Sequence, residues 1–531
     1  MNGRNAVRIS ASVIAALSLL GMAVTTPAAA QPAPAVQWTK CPKEVKEPTA
    51  QCGQIDVPMR YNQPNGSKIQ VGFVRVPAKT QARRGALLTN PGGPGGDAYA
   101  YAAGNILEFP KELNNEWDII GVQPRGLPGS TALECAIPDV NDPGQIAKLT
   151  ADSLFNAGGF NRSACQGGKP GYPETITTEN TARDWDEVRR ALGYQQVSIL
   201  GVSYGTYLGS VYATLFPQHT DKVVLDSAMD PTRSWNGIAA DQQAAYEKAL
   251  NEYFAWVALN DAKYHMGNTP LKAYQYWSRK VSAQAGTNPT VTPPPARVGD
   301  LPAGLEFTGQ AGADAMTAVG KARVEGEGVI SRMLNPGAVQ AKSPLLQETR
   351  AMLPTPKMWD YLARSTNGTL TAEESKQPSK EEIQQAVDQM MAVEQLQAAQ
   401  WCNENVVPGD PTLLPSFAWS QLTGDPFTFF NASRGSGWYC NGAGAVTGIA
   451  PLNGAALKTR PLQLSATRDP QTPYPGHGQL ARRMGTQVVT IHGPGHAHFG
   501  TGNKVVDATV INYLRTGKAD RTDAPGYWEA Q

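Results

Sequence analysis

The segment from Val197 to Phe216 constrains the fold of this 531-residue chain more than any other. Val197-Ser-Ile-Leu200 reads as a buried strand, Tyr204 to Phe216 carries a helical pattern, and Gly201-Val-Ser-Tyr-Gly205 joins the two. Small residues on both sides of Ser203 permit a sharp turn that pushes its hydroxyl out of the backbone path. The helix N-terminus behind it favours negative charge developing there. The spacing predicts a nucleophilic Ser203 at the end of a parallel strand. A glycine-lined turn with an incidental serine would not need the strand and helix that flank this one.

The rest of the chain fits around that unit. Short apolar runs in Ala86-Leu-Leu-Thr89, Trp117-Asp-Ile-Ile-Gly-Val122 and Val223-Val-Leu225 suit strands buried on both faces. A helical pattern over Thr181 to Leu192 separates two of them, so the order predicts an α/β fold with a mostly parallel sheet. Ahead of these, Gln54 to Met59 and the alternating Lys68 to Val76 resemble an antiparallel pair. Between about Asp230 and Ala455 the strand signal disappears. Tyr246, Leu250, Tyr253 and Val257 recur at helical spacing, and Ser379-Lys-Glu-Glu382 is a capping box opening a helix through Gln400. Strands return at Pro461 to Ala466 and Gln487 to Ile491, with a last helix near Asn503 to Leu514. The expected organisation is an export segment at 1–30, a first core part at 31–229, a large inserted helical lid at 230–455 and a closing core part at 456–531.

A serine hydroxyl is a weak nucleophile that needs a base, and the base needs a carboxylate to orient it. In a strand-turn-helix context the three follow in the order serine, acid, histidine. Asp469 stands just past the strand Pro461 to Ala466, where the acid loop belongs; its bland reading is a turn or capping aspartate before Pro470. Gly493-Pro-Gly-His-Ala-His498 follows the strand Gln487 to Ile491, and His496, next to Gly495, is the preferred base with His498 as its rival. His492 sits too near the strand, and His477, His265 and His219 read as surface or packing residues. Acyl transfer also requires donors for the oxyanion. Asn90-Pro-Gly-Gly-Pro-Gly-Gly96 follows the strand Ala86 to Thr89, so the N–H groups of Gly92 and Gly93, with that of Tyr204, are the candidates. A phosphate-binding loop would end in Gly-Lys-Ser/Thr, which this one lacks.

Composition excludes several other functions. Lys+Arg of 46 against Asp+Glu of 45 gives no electrostatic lure for nucleic acid. At the N-terminus, Arg4 and Arg8 precede a mostly apolar stretch from Ile9 to Val24 and the cleavage pattern Pro27-Ala-Ala-Ala30. That stretch, interrupted by Ser10, Ser12, Ser18 and Gly21, falls short of the roughly 20 apolar residues of a spanning helix. The chain therefore reads as secreted, extracellular or associated with the cell envelope, with no transmembrane segment in the mature part, and acting as a monomer. Cleavage would leave 44 basic against 45 acidic residues. Six cysteines in an exported chain favour disulfides over metal thiolates. They fall into sequence-near couples, Cys41 with Cys52, Cys135 with Cys165 and Cys402 with Cys440, although other pairings are formally open. No C-x-x-C pair is present, so no metal site and no cofactor are expected.

Taken in order, Asn90 to Gly96, Thr181-Ala-Arg-Asp-Trp-Asp-Glu-Val-Arg-Arg-Ala-Leu-Gly193, Gly201 to Gly209, Asp469-Pro-Gln-Thr472 and Gly495-His496 resemble the secreted tripeptidyl aminopeptidases of actinobacteria. These are α/β-hydrolases related to proline iminopeptidases. The resemblance spans nearly the whole mature chain, is specific in the two core parts and weak through the lid. It implies an α/β-hydrolase fold with a helical lid, triad roles for Ser203, Asp469 and His496, and release of short peptides from free N-termini. Three features depart from the family. Gln123 stands where an aspartate is usual, with Leu127-Pro128 inserted after it; Asp97 stands where serine is common; and the lid has only Cys402 and Cys440.

An aminopeptidase must also receive the substrate's α-ammonium, usually on lid carboxylates. Glu404, beside Cys402, is one candidate and Asp97 a second, each with a plain solvated or turn-forming alternative. Trp401, Phe429, Phe430 and Trp438 either line an apolar pocket or belong to the lid core. Two other readings stand beside the peptidase. The same triad could serve an ester, on an envelope lipid, an O-acylated protein or a small molecule. A silent hydrolase fold used for binding is the third.

Overall fold

The computed structural model describes residues 32–530 apart from 82, 106, 137–141, 143, 145–147, 149, 150, 153 and 377. The expected export segment at 1–30 lies outside the described residues. The strands are β1 (Gln37–Thr39), β2 (Gln51–Pro58), β3 (Lys68–Val76), β4 (Ala86–Asn90), β5 (Asp118–Val122), β6 (Val197–Val202), β7 (Thr220–Asp226), β8 (Leu462–Arg468), β9 (Gln487–Pro494) and β10 (Asp523–Pro525). They form one sheet in the order β1-β2-β3-β5-β4-β6-β7-β8-β9-β10. From β5 to β10 every pairing is parallel, whereas β1, β2 and β3 are joined antiparallel, as is β3 to β5. The two end strands β1 and β10 were not anticipated from sequence. Both are three residues long, too short to show an alternation.

The central strands are buried on both faces, which is why they read as continuous apolar runs. Alternate residues feed two cores. Ile199 and Leu225 join one with Trp185 and Tyr207, while Leu200 and Val224 join the other with Trp117 and Tyr513. Each such aliphatic side chain contributes roughly 1.5–3 kcal/mol by leaving water. The helix Thr178–Ala191 is tied to the sheet by a buried ion pair, in which Arg125 grips Asp184 with Nε at 2.7 Å and Nη2 at 2.6 Å.

Between β7 and β8 the chain is helical, and these helices hold a third core built on Tyr246, Leu250, Tyr253, Val257, Trp277 and Trp359. The lid is not free-standing by contacts: residues from Pro34 onward form one compact unit. One lid helix, Lys380–Glu404, explains this. Ser379 and Glu382 close its capping box, its first turns are exposed, and its last carry Leu396 and Trp401 into a core of the sheet. It runs one turn beyond the expected end at Gln400 because those last turns are buried.

Sheet register fixes where the loops emerge. Asn90 lies opposite Gly201, Val202 opposite Asp226, and Asp226 opposite Leu464. On the far side Arg468 lies opposite Pro494. The loops after β4, β6, β7, β8 and β9 therefore leave one edge of the sheet side by side.

Candidate active site

Ser203 occupies a strained backbone conformation, φ 58° and ψ −124°, between β6 and the helix Tyr204–Leu215. For a non-glycine residue this costs on the order of 1–3 kcal/mol, which the surroundings must hold in place. They do so through Gly201 and Gly205. A Cβ on Gly201 would sit 2.0 Å from the Gly205 carbonyl oxygen, and one on Gly205 2.8 Å from that of Asn90. The Ser203 N–H donates to the Asp226 carbonyl at 2.9 Å.

The glycine loop lies against this turn. Gly92 adopts φ +96°, and a Cβ there would lie 2.7 Å from that of Ser203 and 2.6 Å from the Val202 carbonyl oxygen. Its N–H, however, donates to the Asn90 side-chain oxygen at 2.9 Å. Gly92 is thus corrected from oxyanion donor to steric gap. The N–H groups of Gly93 and Tyr204 have no acceptor among the described residues, which leaves these two for an oxyanion.

Asp469 and His496 meet across the loops after β8 and β9. His496 Nδ1 lies 2.8 Å from Oδ2 and 3.0 Å from Oδ1 of Asp469. The carboxylate also accepts the N–H groups of Gln471 and Thr472 and the Thr472 hydroxyl, at 2.8, 3.0 and 2.8 Å. Burial pushes the Asp469 carboxyl up, but the His496 imidazole and these donors outweigh it and hold the group below the ordinary carboxylate value. Burial pushes His496 down, and the Asp469 charge and hydrogen bond outweigh that in turn, raising it above the ordinary imidazole value. With Nδ1 occupied, Nε2 is the nitrogen left for a proton transfer. Thr472 was missed in the sequence reading, though an Asp-Pro-x-Thr turn is a side-chain-to-backbone motif that signals it.

Asp469 is hydrogen-bonded to His496 and not to His498. His498 is buried, its ring packs near Gly495, its Nε2 has no hydrogen-bond partner among the described residues, and burial pushes its imidazole below the ordinary value. His492 is exposed and paired with Asp523, His477 stacks on Tyr474, and His219 Nδ1 meets the Gln195 carbonyl.

The two candidate amine receivers fare differently. Glu404 is 2% exposed and accepts the N–H and hydroxyl of Thr178, at the start of the helix Thr178–Ala191. It is corrected from substrate carboxylate to buried helix cap. Burial raises its carboxyl to about 7 despite those hydrogen bonds. Asp97 caps the helix Ala98–Ala103 with Oδ1, accepting the N–H groups of Tyr99 and Ala100 at 2.8 and 3.2 Å. Its Oδ2 accepts the Gln389 side-chain N–H at 3.4 Å, and the residue lines a cleft of about 700 Å³ between the glycine loop and the lid helix, with Gly93, Pro94, Met390, Met391 and Glu394. Gln123 has a related structural duty. It accepts the Ala98 N–H at 3.0 Å and donates to the Pro128 carbonyl at 2.9 Å, joining the helix Ala98–Ala103 to the loop after β5.

Of the lid aromatics, Trp401 stacks on Trp235 in the core. Phe430 lies under the guanidinium groups of Arg350 and Arg434, at 4.7 and 3.7 Å from its ring centre. Phe429 and Trp438 both pack on Phe417. The six cysteines form Cys41–Cys52, Cys135–Cys165 and Cys402–Cys440 disulfides. Among the described residues no group of His, Cys, Asp and Glu side chains has metal-binding geometry.

Strand order, the serine turn after β6 and the acid and histidine loops after β8 and β9 define an α/β-hydrolase. A family model for the alpha/beta hydrolase fold matches residues 85–314, and one for "TAP-like protein" matches 426–525. Both matched regions are thus similar to α/β-hydrolases, the second of them to the TAP-like proteins. It is 35% identical to a tripeptidyl aminopeptidase of Streptomyces lividans over 47% of this chain and 49% of that protein. The match thus spans about half the length of that relative. It is 28% identical to the serine protease Hip1 of Mycobacterium tuberculosis over 91% of this chain and 89% of Hip1. A protein of the same organism named Carboxylesterase B is also 28% identical, over 93% of this chain and 90% of that one.

Proposed function

We propose that this chain is an exported serine peptidase that releases short peptides, tripeptides in the first instance, from free N-termini. The observation that carries the reading is the His496–Asp469 pair at the same sheet edge as the strained Ser203, with the N–H groups of Gly93 and Tyr204 bonded to no acceptor among the described residues. Its relatives named tripeptidyl aminopeptidase and serine protease support the peptide substrate. Three disulfides support a place outside the cytoplasm, and the chain is taken to act as a monomer.

In this reading Ser203 Oγ attacks the scissile carbonyl while His496 Nε2 takes its proton. The carbonyl oxygen, now negative, is met by the N–H groups of Gly93 and Tyr204. His496 then gives the proton to the leaving amine, an acyl ester remains on Ser203, and water repeats the sequence to free the acid. Asp469 stays ionised throughout and stabilises the imidazolium. Asp97, at the cleft between the glycine loop and the lid helix, receives the α-ammonium in place of its long contact to Gln389.

The occupation of Glu404 by Thr178 favours a second reading, in which the triad serves an ester and no amine is recognised. One matched peptide amide series with free or acetylated N-terminus, run beside a short-chain ester and with Ser203→Ala as control, separates the two. Cleavage that requires the free amine and prefers one peptide length establishes the peptidase. Ester turnover without amide cleavage overturns it, and full activity in Ser203→Ala overturns both.

A further inference from the structure

One carboxylate at this edge of the sheet has no part in the chemistry described above. Asp226 ends β7 and is fully buried, between the serine turn and the histidine loop. Its backbone oxygen accepts the Ser203 N–H at 2.9 Å. Its Oδ2 accepts the N–H groups of both His498 and Phe499 at 2.8 Å. The next residue continues the pattern: the Ser227 hydroxyl accepts the Ala497 N–H at 2.9 Å. To do so Ser227 holds φ 57°, a conformation costly for a serine and worth keeping only where the surroundings require it. Three consecutive amides immediately after His496 are therefore gathered by two consecutive side chains immediately beside Ser203.

We propose that Asp226 is a positioning residue of this active site, which clamps the histidine loop to the serine turn and sets a second negative charge beside the His496 imidazole. The inference rests on the serine-hydrolase reading above. A buried carboxylate is costly unless its oxygens are hydrogen-bonded, and here backbone amides meet that need. No Lys or Arg pairs with Asp226 among the described residues, so its charge is not cancelled locally. The titratable groups close enough to feel it are Tyr101 from the helix Ala98–Ala103, Asp507 from the helix Lys504–Thr516, and His496 and His498 from the loop itself. His496 has Asp469 on one side as its direct partner and the Asp226 charge as a further, weaker influence that favours the imidazolium. An asparagine there would keep the size of the side chain but lose the charge and weaken the hold on the two loop amides.

The test uses a fluorophosphonate probe, which reports attack by Ser203 whether the natural substrate is an amide or an ester. Labelling rates are measured against pH in the full chain, the Asp226→Asn and Ser227→Ala variants, and Ser203→Ala. The expected result for Asp226→Asn is labelling slowed about 100-fold, the penalty of a catalytic group displaced by about 1 Å. Its acid limb should also move to lower pH, because the imidazole loses a proton more readily without the second anion. Ser227→Ala, which keeps the charge, should slow labelling with the acid limb unmoved. A merely structural Asp226 would lower the melting temperature and leave the limb in place, and that outcome overturns the proposal. Should Asp226→Asn fail to fold, unchanged labelling in Ser227→Ala overturns the clamp. Failure of the wild-type chain to label at Ser203 removes the serine-hydrolase reading, and this inference with it.

Discussion

The indole of Trp401, near the end of the lid helix Lys380–Glu404, stacks on that of Trp235 with ring centroids 5.5 Å apart and planes at 14°. Trp235 in turn touches the ring of Tyr204, whose N–H has no acceptor among the described residues. The lid is thus joined to the serine turn through a column of aromatic rings, capped by the Arg434 guanidinium 5.1 Å from the Trp401 ring centre.

Trp401→Ala should therefore destabilise the chain by about 3–5 kcal/mol, the cost of deleting a buried large aromatic. Urea unfolding followed by circular dichroism reads this directly. A loss below about 1 kcal/mol would mean that the ring column does not fasten the lid.

Gly92→Ala should cut hydrolysis sharply with little change in secondary structure. The new methyl has no room beside Ser203 and Val202, and the φ of +96° is unfavourable for alanine. Displacing the oxyanion donors is expected to lower kcat by about 10²–10³. An active Gly92→Ala enzyme would show that the glycine loop does not abut the nucleophile as described.

The rate should depend on pH through His496. Its imidazole must be neutral to accept the Ser203 proton, and its environment favours the charged form. The acid limb of kcat/KM is expected above the ordinary imidazole value of 6.5. In Asp469→Asn the rate should fall about 10⁴-fold, because the imidazole loses the partner that fixes its tautomer.

Glu404 gives a stability signature of opposite sign to that of a paired surface carboxylate. Its folded-state value of about 7 exceeds the ordinary 4.5, so the folded chain holds a proton that the unfolded chain has released between those values. Its contribution is therefore most favourable below pH 4.5 and is lost as the pH rises toward 7. Relative to wild type, Glu404→Gln should gain stability from pH 5 to pH 8 on urea unfolding; a constant difference would mean that Glu404 is ionised throughout.

Replacing Cys402 and Cys440 together by alanine removes a cross-link over 38 residues and should cost about 2–4 kcal/mol. Thermal unfolding of the variant should then be less sensitive to added reductant than that of wild type.

Much of this site was legible because its signals are local. Glycines flank Ser203 within one turn, Asp469 and His496 each follow their strand within a few residues, and helical spacing marked the lid core at Tyr246, Leu250, Tyr253 and Val257. Even the engagement of the Gly92 N–H could have been read, since Asn90 is only two residues away and Asn side chains commonly bond the backbone there.

What sequence determined, then, was the set of strands and helices and the turn chemistry at their ends, because backbone sterics and apolar periodicity act over a few residues. What only the tertiary structure decided was which polar groups meet. Glu404 meets Thr178 across 226 residues, and the amide of His498 meets Asp226 across 272. No local pattern encodes such pairs. They follow from sheet order and register, which bring distant strand ends to one edge, and from the cost of burying a carboxylate without donors, which selects the partners found there.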